Sequence, residues 1–340
     1  MKQPQGLCCS CRLGEYEYVI DSTMQKYAFF QGKIVPLEEA KVSVMTHALN
    51  YGTGVFEGIR GYWNDEKEEL YLVVLRDHFV RFLRNTRMVR IEVPFSADQL
   101  VDLTLRLVKM HDYREDVYIR PLAYKSSEHI GVSMNGVADD FTMFVSPFGN
   151  YVDLDRGLAV CVSSWKRSDD NAIPARAKIT GNYINSALAK DEAVVNGYDE
   201  AIVLNPQGYV SEASSANLFM VRDNVLITPS ISDTILEGYT RDIISKLAHD
   251  ELGIPTVARM VSRSELYYAD EMFLTGTGVQ VAAITSVDRR NIGDGRVGPI
   301  GSSLQSLYFD VVKGRNPKYL DWLTPVYAPL RVAIPEVSAP

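Results

Sequence analysis

Cysteine is scarce in this chain: there are four in 340 residues, with Cys8, Cys9 and Cys11 crowded together and Cys161 alone. That usage argues against a disulfide framework in so long a chain, and no second Cys or His cluster stands at zinc-ligand spacing. An excess of basic charge is also missing. Asp and Glu number 43 against 35 Lys and Arg, a net charge of -8, which speaks against non-specific nucleic-acid binding. No apolar run reaches the roughly 18–20 residues needed to cross a bilayer. The opening MKQPQGLCCSCRLGEYEY lacks the continuous apolar segment of a signal peptide, so the expected compartment is the cytoplasm. There are no internal repeats and no low-complexity blocks.

What is present is the mix of a soluble globular protein, with 46% hydrophobic and 23% charged residues. The length exceeds that of one ordinary core, which predicts two domains. Residues 1–25 read as a flexible leader, 26–147 as a small α+β domain, and 148–157 as the link, where SPFGNYVDLDRG has turn chemistry. Residues 158–322 read as a larger α/β domain and 323–340 as a proline-containing tail without assigned structure. KYAFFQ and IVPLEEAKVSV form a hairpin around Gly32-Lys33, and HALNYG is a short helix. VFEGIRGYW and LYLVVLR are strands. DHFVRFLRNTRM carries Phe79, Phe82 and Leu83 at helical spacing. SADQLVDLTLRLVKM adds a capping box, Ser96 to Gln99, and a Leu100, Leu103, Leu107 stripe. The second half opens with the strand LAVCVSSW. The helix NYINSALAKDEAVV closes at Asn196-Gly197, and strands flank the turn Asn205-Pro206-Gln207-Gly208. A helix YTRDIISKLAHDEL ends at Gly253. SRSELYYAD reads as a short helix with a Ser262 to Glu265 capping box, and EMFLTGTGVQVAAITSV as strands around a Gly-rich turn. Strands and helices mix without strict alternation, which makes the class α+β.

Four stretches suggest chemistry. In PARAKITGNY, Lys178 sits among small and turn-prone residues between an apolar strand and an apolar helix. It is either an exposed loop cation or a nucleophile activated by burial or by a second cation. In YVSEASSANLF, Glu212 is a mid-strand carboxylate that faces solvent or needs a buried partner, such as a protonated heterocyclic nitrogen. In ILEGYTRD, Gly238 precedes Tyr239 and Thr240 at a helix start, where free N–H groups suit a phosphate; a plain Thr cap is the alternative. The TGTG turn at 275–278 offers further N–H groups and the Thr277 hydroxyl. Arg76, between a strand and a helix, is a phosphate partner or a surface residue paired with Asp77 or Glu69. A Schiff-base amine, a carboxylate for a pyridinium and a phosphate cradle are the three needs of pyridoxal phosphate.

With these residues in place, the chain resembles the branched-chain amino-acid aminotransferases, fold-type IV (class IV) pyridoxal-phosphate enzymes, from about Lys26 to Asp321. The matching stretches are HALNYGTGVFEGIR, LRDHFVRF, VYIRPL, AKITGNY, GYVSEASSANLF, GYTRD and LYYADEMFLTGTG, in family order and spacing. The resemblance implies a two-domain fold with its site at the domain and subunit interface. It implies transfer of an amino group from Leu, Ile or Val to 2-oxoglutarate by a ping-pong mechanism. Lys178 would form the Schiff base and shuttle the proton. Tyr183 would meet the ring's phenolic oxygen, and Glu212 its nitrogen. Arg76, Thr240 and Thr277, with Gly238 and the Tyr239 backbone, would hold the phosphate. The Thr277-Gly278 turn and Tyr118 would receive the α-carboxylate. Phe56, Gly58, Phe148 and Tyr151 would line the side-chain pocket, and Arg120, aided by Tyr51, would meet the second carboxylate of glutamate. Tyr51 and Val132 would come from the neighbouring subunit of a homodimer. A structural ion pair within its strand is the other role open to Arg120.

The chain departs from the family pattern near the substrate. Thr180 stands where a second glycine is common, Glu237 where many have proline, and Phe148 where tryptophan is frequent. The loop SEHIGVSMNG lacks a proline-rich ending. These departures leave a D-amino-acid or (R)-amine transaminase, or an aminodeoxychorismate lyase, as alternatives, since small pocket changes widen specificity.

Overall fold

The computed structural model describes residues 26–150, 152–154 and 156–328. Among the described residues its six α-helices are α1 (His47–Tyr51), α2 (Leu75–Met88), α3 (Ala97–His111), α4 (Tyr183–Val195), α5 (Tyr239–Leu252) and α6 (Pro299–Val312). The strands form two sheets among the described residues. The first is antiparallel and runs Leu323–Pro325, Glu69–Val73, Ile59–Asn64, Val117–Lys125, Asp139–Pro147, Tyr27–Phe30, Lys33–Pro36. Gly54–Phe56 pairs with the far end of Val117–Lys125. The second runs Val210–Ala213, Glu200–Leu204, Leu158–Lys166, Gln280–Val287, Glu271–Gly276, Asn217–Arg222, Val225–Thr228, Thr256–Ala258. Three of its pairings are parallel.

Helices α2 and α3 cover one face of the first sheet. Phe79, Phe82, Leu100, Leu103 and Leu107 are buried there against Ile59, Leu72, Ile119 and Val145. The Ser96–Gln99 capping box forms in both directions, so the local start signal and the leucine stripe agree. The second sheet is buried on both faces. Leu218, Met220, Met272 and Leu274 face one layer. Their neighbours Phe219, Val221 and Phe273 face α5 and α6, where they meet Ile244, Leu247, Leu304 and Val311. The two-residue strand period sends successive side chains to opposite layers, which explains apolar runs without alternation. Tyr62, Val73 and Leu323 of the first sheet join that second layer, so the halves share core.

Four expectations change. The strand VFEGIRGYW breaks at Glu57-Gly58 into Gly54–Phe56 and Ile59–Asn64. The stretch SRSELYYAD is a 3-10 helix whose Ser262 side chain makes no capping bond, and Glu265 pairs with Arg259. Helix α6 and the strand Val225–Thr228 are absent from the sequence reading. The first starts at Gly298-Pro299 without a Ser, Thr, Asp or Asn cap, and the second is only four residues long. The tail begins as structure: Leu323–Pro325 is an edge strand of the first sheet. Buried Glu69 holds it there, accepting the N–H groups of Val326, Tyr327 and Ala328 at 2.7–2.9 Å. Residues 1–25 and 329–340 lie outside the described residues.

A chain ending at Trp322 strips those three donors from Glu69 and exposes the apolar surface under Leu323 and Val326. It is expected to lose at least about 1–3 kcal/mol of unfolding free energy in a urea titration. Unchanged stability would show the edge strand to be passive.

Candidate active site

The segment carrying Lys178 is threaded against the first half of the chain. Phe56 donates its N–H to the Lys178 carbonyl at 3.0 Å, and Val55 and Ile179 form a β-bridge. The Gly181 N–H and the Thr180 hydroxyl both reach the Gly52 carbonyl. Thr180, one of the departures from the family pattern, thus fastens the lysine segment to the first half of the chain. This pairing places Lys178 on the wall of a cavity of about 630 Å³ between the sheets.

Lys178 Nζ donates to the Tyr183 hydroxyl at 2.9 Å. Burial acts to lower the ammonium's pKa, and Arg81 acts the same way. Tyr183 and Glu57 act against them, and the net direction is upward. The lowering by burial or by a second cation that the nucleophile reading calls for is present, but Tyr183 and Glu57 offset it. Glu212 is 3% exposed. Its carboxylate accepts from Arg167 at 2.5 Å, from Asn217 Nδ2 at 2.8 Å and from the Leu236 N–H at 3.1 Å. Burial pushes its pKa up, while Arg167, the Leu236 N–H and Lys178 favour the charged form. Of the two readings open for Glu212, the structure shows the buried one.

Across the cavity, α5 begins at Tyr239. Its Gly238 N-cap has no side chain to cap the first turn, and Gly238, Tyr239 and Thr240 line the cavity, so the positive end of the helix dipole lies at its wall. A Cβ at Gly238 would collide with Asn217 Oδ1, so a larger residue would have to displace Asn217 from its bond to Glu212. Thr240 and the Thr277-Gly278 turn border the same region, and the Thr277 hydroxyl donates to the Gly58 carbonyl at 3.2 Å. The buried Thr275 hydroxyl has no protein partner.

Arg76 is not part of this cradle. It lies in the first turn of α2 with its side chain 62% exposed, paired with Asp98 of α3 at 2.7 Å. The helix begins one residue earlier, at Leu75, so Arg76 follows the helical rotation outward rather than the strand direction inward. Arg81, five residues on and about 140° round the helix, lines the cavity instead. Its Nε and NH2 groups bond the two oxygens of Glu57, both at 2.7 Å. The sequence carried a signal for it: Arg81 lies on the same α2 face as buried His78 and near buried Phe82.

Phe56, Gly58, Tyr118, Arg120 and Phe148 line another part of the cavity. The Arg120 guanidinium lies 4.5 Å from the Phe56 ring centroid and donates to the Tyr118 hydroxyl at 2.8 Å. Gly58 makes room for that hydroxyl, which a Cβ would strike. Arg60 was missed from sequence. It is 2% exposed and donates to the carbonyls of Thr277, Gly278, Phe148 and Gly149, tying the turn to the 148–157 segment. Arg167 and Asn217 were missed as well. Tyr51 and Val132 do not reach this cavity; both are exposed, and the Tyr51 hydroxyl accepts the Gly131 N–H. Tyr151 lies outside the described residues.

A family model described as amino-transferase class IV matches residues 54–287. A probable branched-chain-amino-acid aminotransferase of Aquifex aeolicus is 47% identical over 309 residues, spanning 91% of this chain and 99% of that protein. The branched-chain amino acid aminotransferase of Thermobaculum terrenum, solved in its PLP form, superposes with a TM-score of 0.86. It is 40% identical, and 89% of this chain and 99% of that chain are covered. The branched-chain aminotransferase of the thermophilic archaeon Thermoproteus uzoniensis, solved with norvaline, gives 0.85 at 42% identity, over 89% of this chain and 100% of that one.

Arg81→Ala is expected to weaken retention of pyridoxal phosphate by roughly 10–100-fold, the loss of charged hydrogen bonds. Arg76→Ala should leave retention unchanged. Equilibrium dialysis of both variants checks this, and the opposite ranking would return the phosphate to Arg76.

Proposed function

Because the chain belongs to the class IV aminotransferases, we propose that it moves the amino group of branched-chain L-amino acids to 2-oxoglutarate, with pyridoxal 5'-phosphate held in the cavity between the sheets. One observation carries this reading. A single cavity brings the Lys178 amine, the buried Glu212 carboxylate and an open helix N-terminus up to an apolar wall that contains one guanidinium. The donor set fits the cofactor: an anion cradle free of side-chain caps, a fixed carboxylate, and an amine beside a phenol. When bound, the cofactor supplies an electron-withdrawing ring next to the substrate Cα.

The residues then divide the work. Lys178 Nζ holds the cofactor and carries the proton to and from the substrate Cα. The Tyr183 hydroxyl, 2.9 Å from Nζ, orients that amine. Glu212 holds the proton at the ring nitrogen, and Arg167, Asn217 and the Leu236 N–H fix its carboxylate. Thr240, Thr277, Arg81 and the α5 N-terminus from Gly238 and Tyr239 bind the phosphate. The Thr277-Gly278 turn and Tyr118 take the α-carboxylate. Phe56, Gly58 and Phe148 exclude water from an aliphatic side chain, while Arg120 receives the second carboxylate of the acceptor. The exposure of Tyr51 and Val132 supports a homodimer in which each enters the site of the second copy, and we place the enzyme in the cytoplasm.

The purified chain should show the visible absorbance of bound cofactor and convert L-leucine and 2-oxoglutarate to glutamate. Lys178→Ala should lose both. A donor screen in which D-alanine or (R)-1-phenylethylamine is used faster than L-leucine under matched conditions overturns the substrate assignment.

Arg120→Ala is expected to lower kcat/KM for 2-oxoglutarate by roughly 10–100-fold more than for 4-methyl-2-oxopentanoate. Steady-state kinetics with both acceptors reads this, and equal losses would make Arg120 a structural residue.

A further inference from the structure

The break at Glu57-Gly58 sends one side chain away from the substrate wall and into the protein. Phe56 and Gly58, its neighbours, line the cavity, while Glu57 is fully buried beneath α2. Its Oε1 accepts Arg81 Nε and its Oε2 accepts Arg81 NH2, each at 2.7 Å. The same Oε2 lies 2.9 Å from His78 Nδ1. A carboxylate only accepts, so Nδ1 carries the hydrogen and donates it. Burial lowers the His78 pKa, against the pull of Glu57, and Nδ1–H faces the carboxylate whether the ring is neutral or charged. Burial also acts to raise the Glu57 pKa, but Arg81 and His78 overcome it and hold the carboxyl far below its ordinary range.

Arg81 is fixed on every side. Its NH1 donates to the Glu237 carbonyl at 2.5 Å, and its guanidinium lies 4.4 Å from the centroid of the Tyr239 ring. The His78 ring packs edge-on against that same ring, and the Tyr239 hydroxyl donates to the Asp77 carbonyl at 2.6 Å. A guanidinium has five N–H groups. Three are used by Glu57 and Glu237, which leaves one each on NH1 and NH2 beside the α5 N-terminus.

Resting on the cofactor reading above, we infer that Glu57 is a positioning residue for the phosphate anchor. It fixes the Arg81 fork so that its two remaining N–H groups and the first turn of α5 converge on one anion. The pairing also cancels the charge of Arg81 inside the protein. Arg81 therefore serves as an oriented donor, and the anion is met by aligned N–H groups rather than by a free net charge. Because Glu57 sits between Phe56 and Gly58, the same residue ties the anchor to the substrate wall.

The test is the rate at which full-chain holoenzyme loses its visible band on dilution. Glu57→Gln keeps the shape but removes the charge and puts an amide N–H group against donors. It is expected to release pyridoxal phosphate about ten-fold faster than wild type. Protein loaded with pyridoxal, which lacks the phosphate, should show wild-type release within about two-fold. Arg81→Ala and Arg81→Ala/Glu57→Gln should release pyridoxal phosphate at the same rate, since Glu57 acts through Arg81. Glu57→Asp, which keeps the charge, should recover part of the loss, and it carries the comparison if Glu57→Gln does not fold. Equal acceleration with and without the phosphate, or additive effects in the double variant, overturns the inference. A banded wild type with unchanged release from Glu57→Gln also overturns it while leaving the cofactor reading intact. A wild type that shows no band sinks both.

Discussion

The site depends on a backbone pairing between two segments more than 120 residues apart. The Gly52–Phe56 stretch and the Lys178–Gly181 stretch hydrogen-bond across the gap between the sheets. Backbone bonds between the two segments satisfy groups that would be costly to bury unpaired. They also set the lysine relative to everything contributed by the first half. Phe56 reaches the cavity because its own N–H is bonded to the Lys178 carbonyl. Thr180 replaces a small residue with a hydroxyl that adds a bond to this seam rather than intruding on the cavity.

Buried charge is organised in the same way on both sides of that seam. Glu212 is held by Arg167, Asn217 and a backbone N–H; Glu57 is held by Arg81 and His78. A buried ion pair adds little net stability, because desolvation offsets the attraction, but removing one partner is expensive. Such pairs are therefore better understood as devices that fix direction. Each site group that must point one way is bound to a second group that makes other orientations unfavourable. Arg60 does this for backbone, collecting four carbonyls from two loops.

The sequence made several local features legible. The α3 capping box and leucine stripe form as read, as does the α5 end at Gly253, with positive φ. These signals are carried by residues a few positions apart, so they survive without tertiary information. Arg76 and Arg81 show where that stops. Arg76 reads as the end of the strand LYLVVLR and Arg81 as part of the helix after it, and which of them reaches the cavity turns on where that helix begins. An offset of one residue rotates every side chain by about 100°. The edge strand at Leu323–Pro325 was illegible for a related reason. Its stability comes from Glu69 and from the adjacent strand, not from its own residues.

By itself the sequence determined the kinds of groups available and the family they belong to: a lysine among small residues, a carboxylate in an apolar strand, and two turns rich in N–H groups. Motif order and spacing are properties of the chain, and they settle which chemistry the protein is equipped for. Only the tertiary structure decided that Arg81 rather than Arg76 lines the cavity, that Glu212 is bonded to Arg167, and that Glu57 is bonded to Arg81. Those outcomes depend on distances between segments far apart in sequence. They also depend on burial, which gives a charged side chain a direction only once its partner has been brought within hydrogen-bonding range.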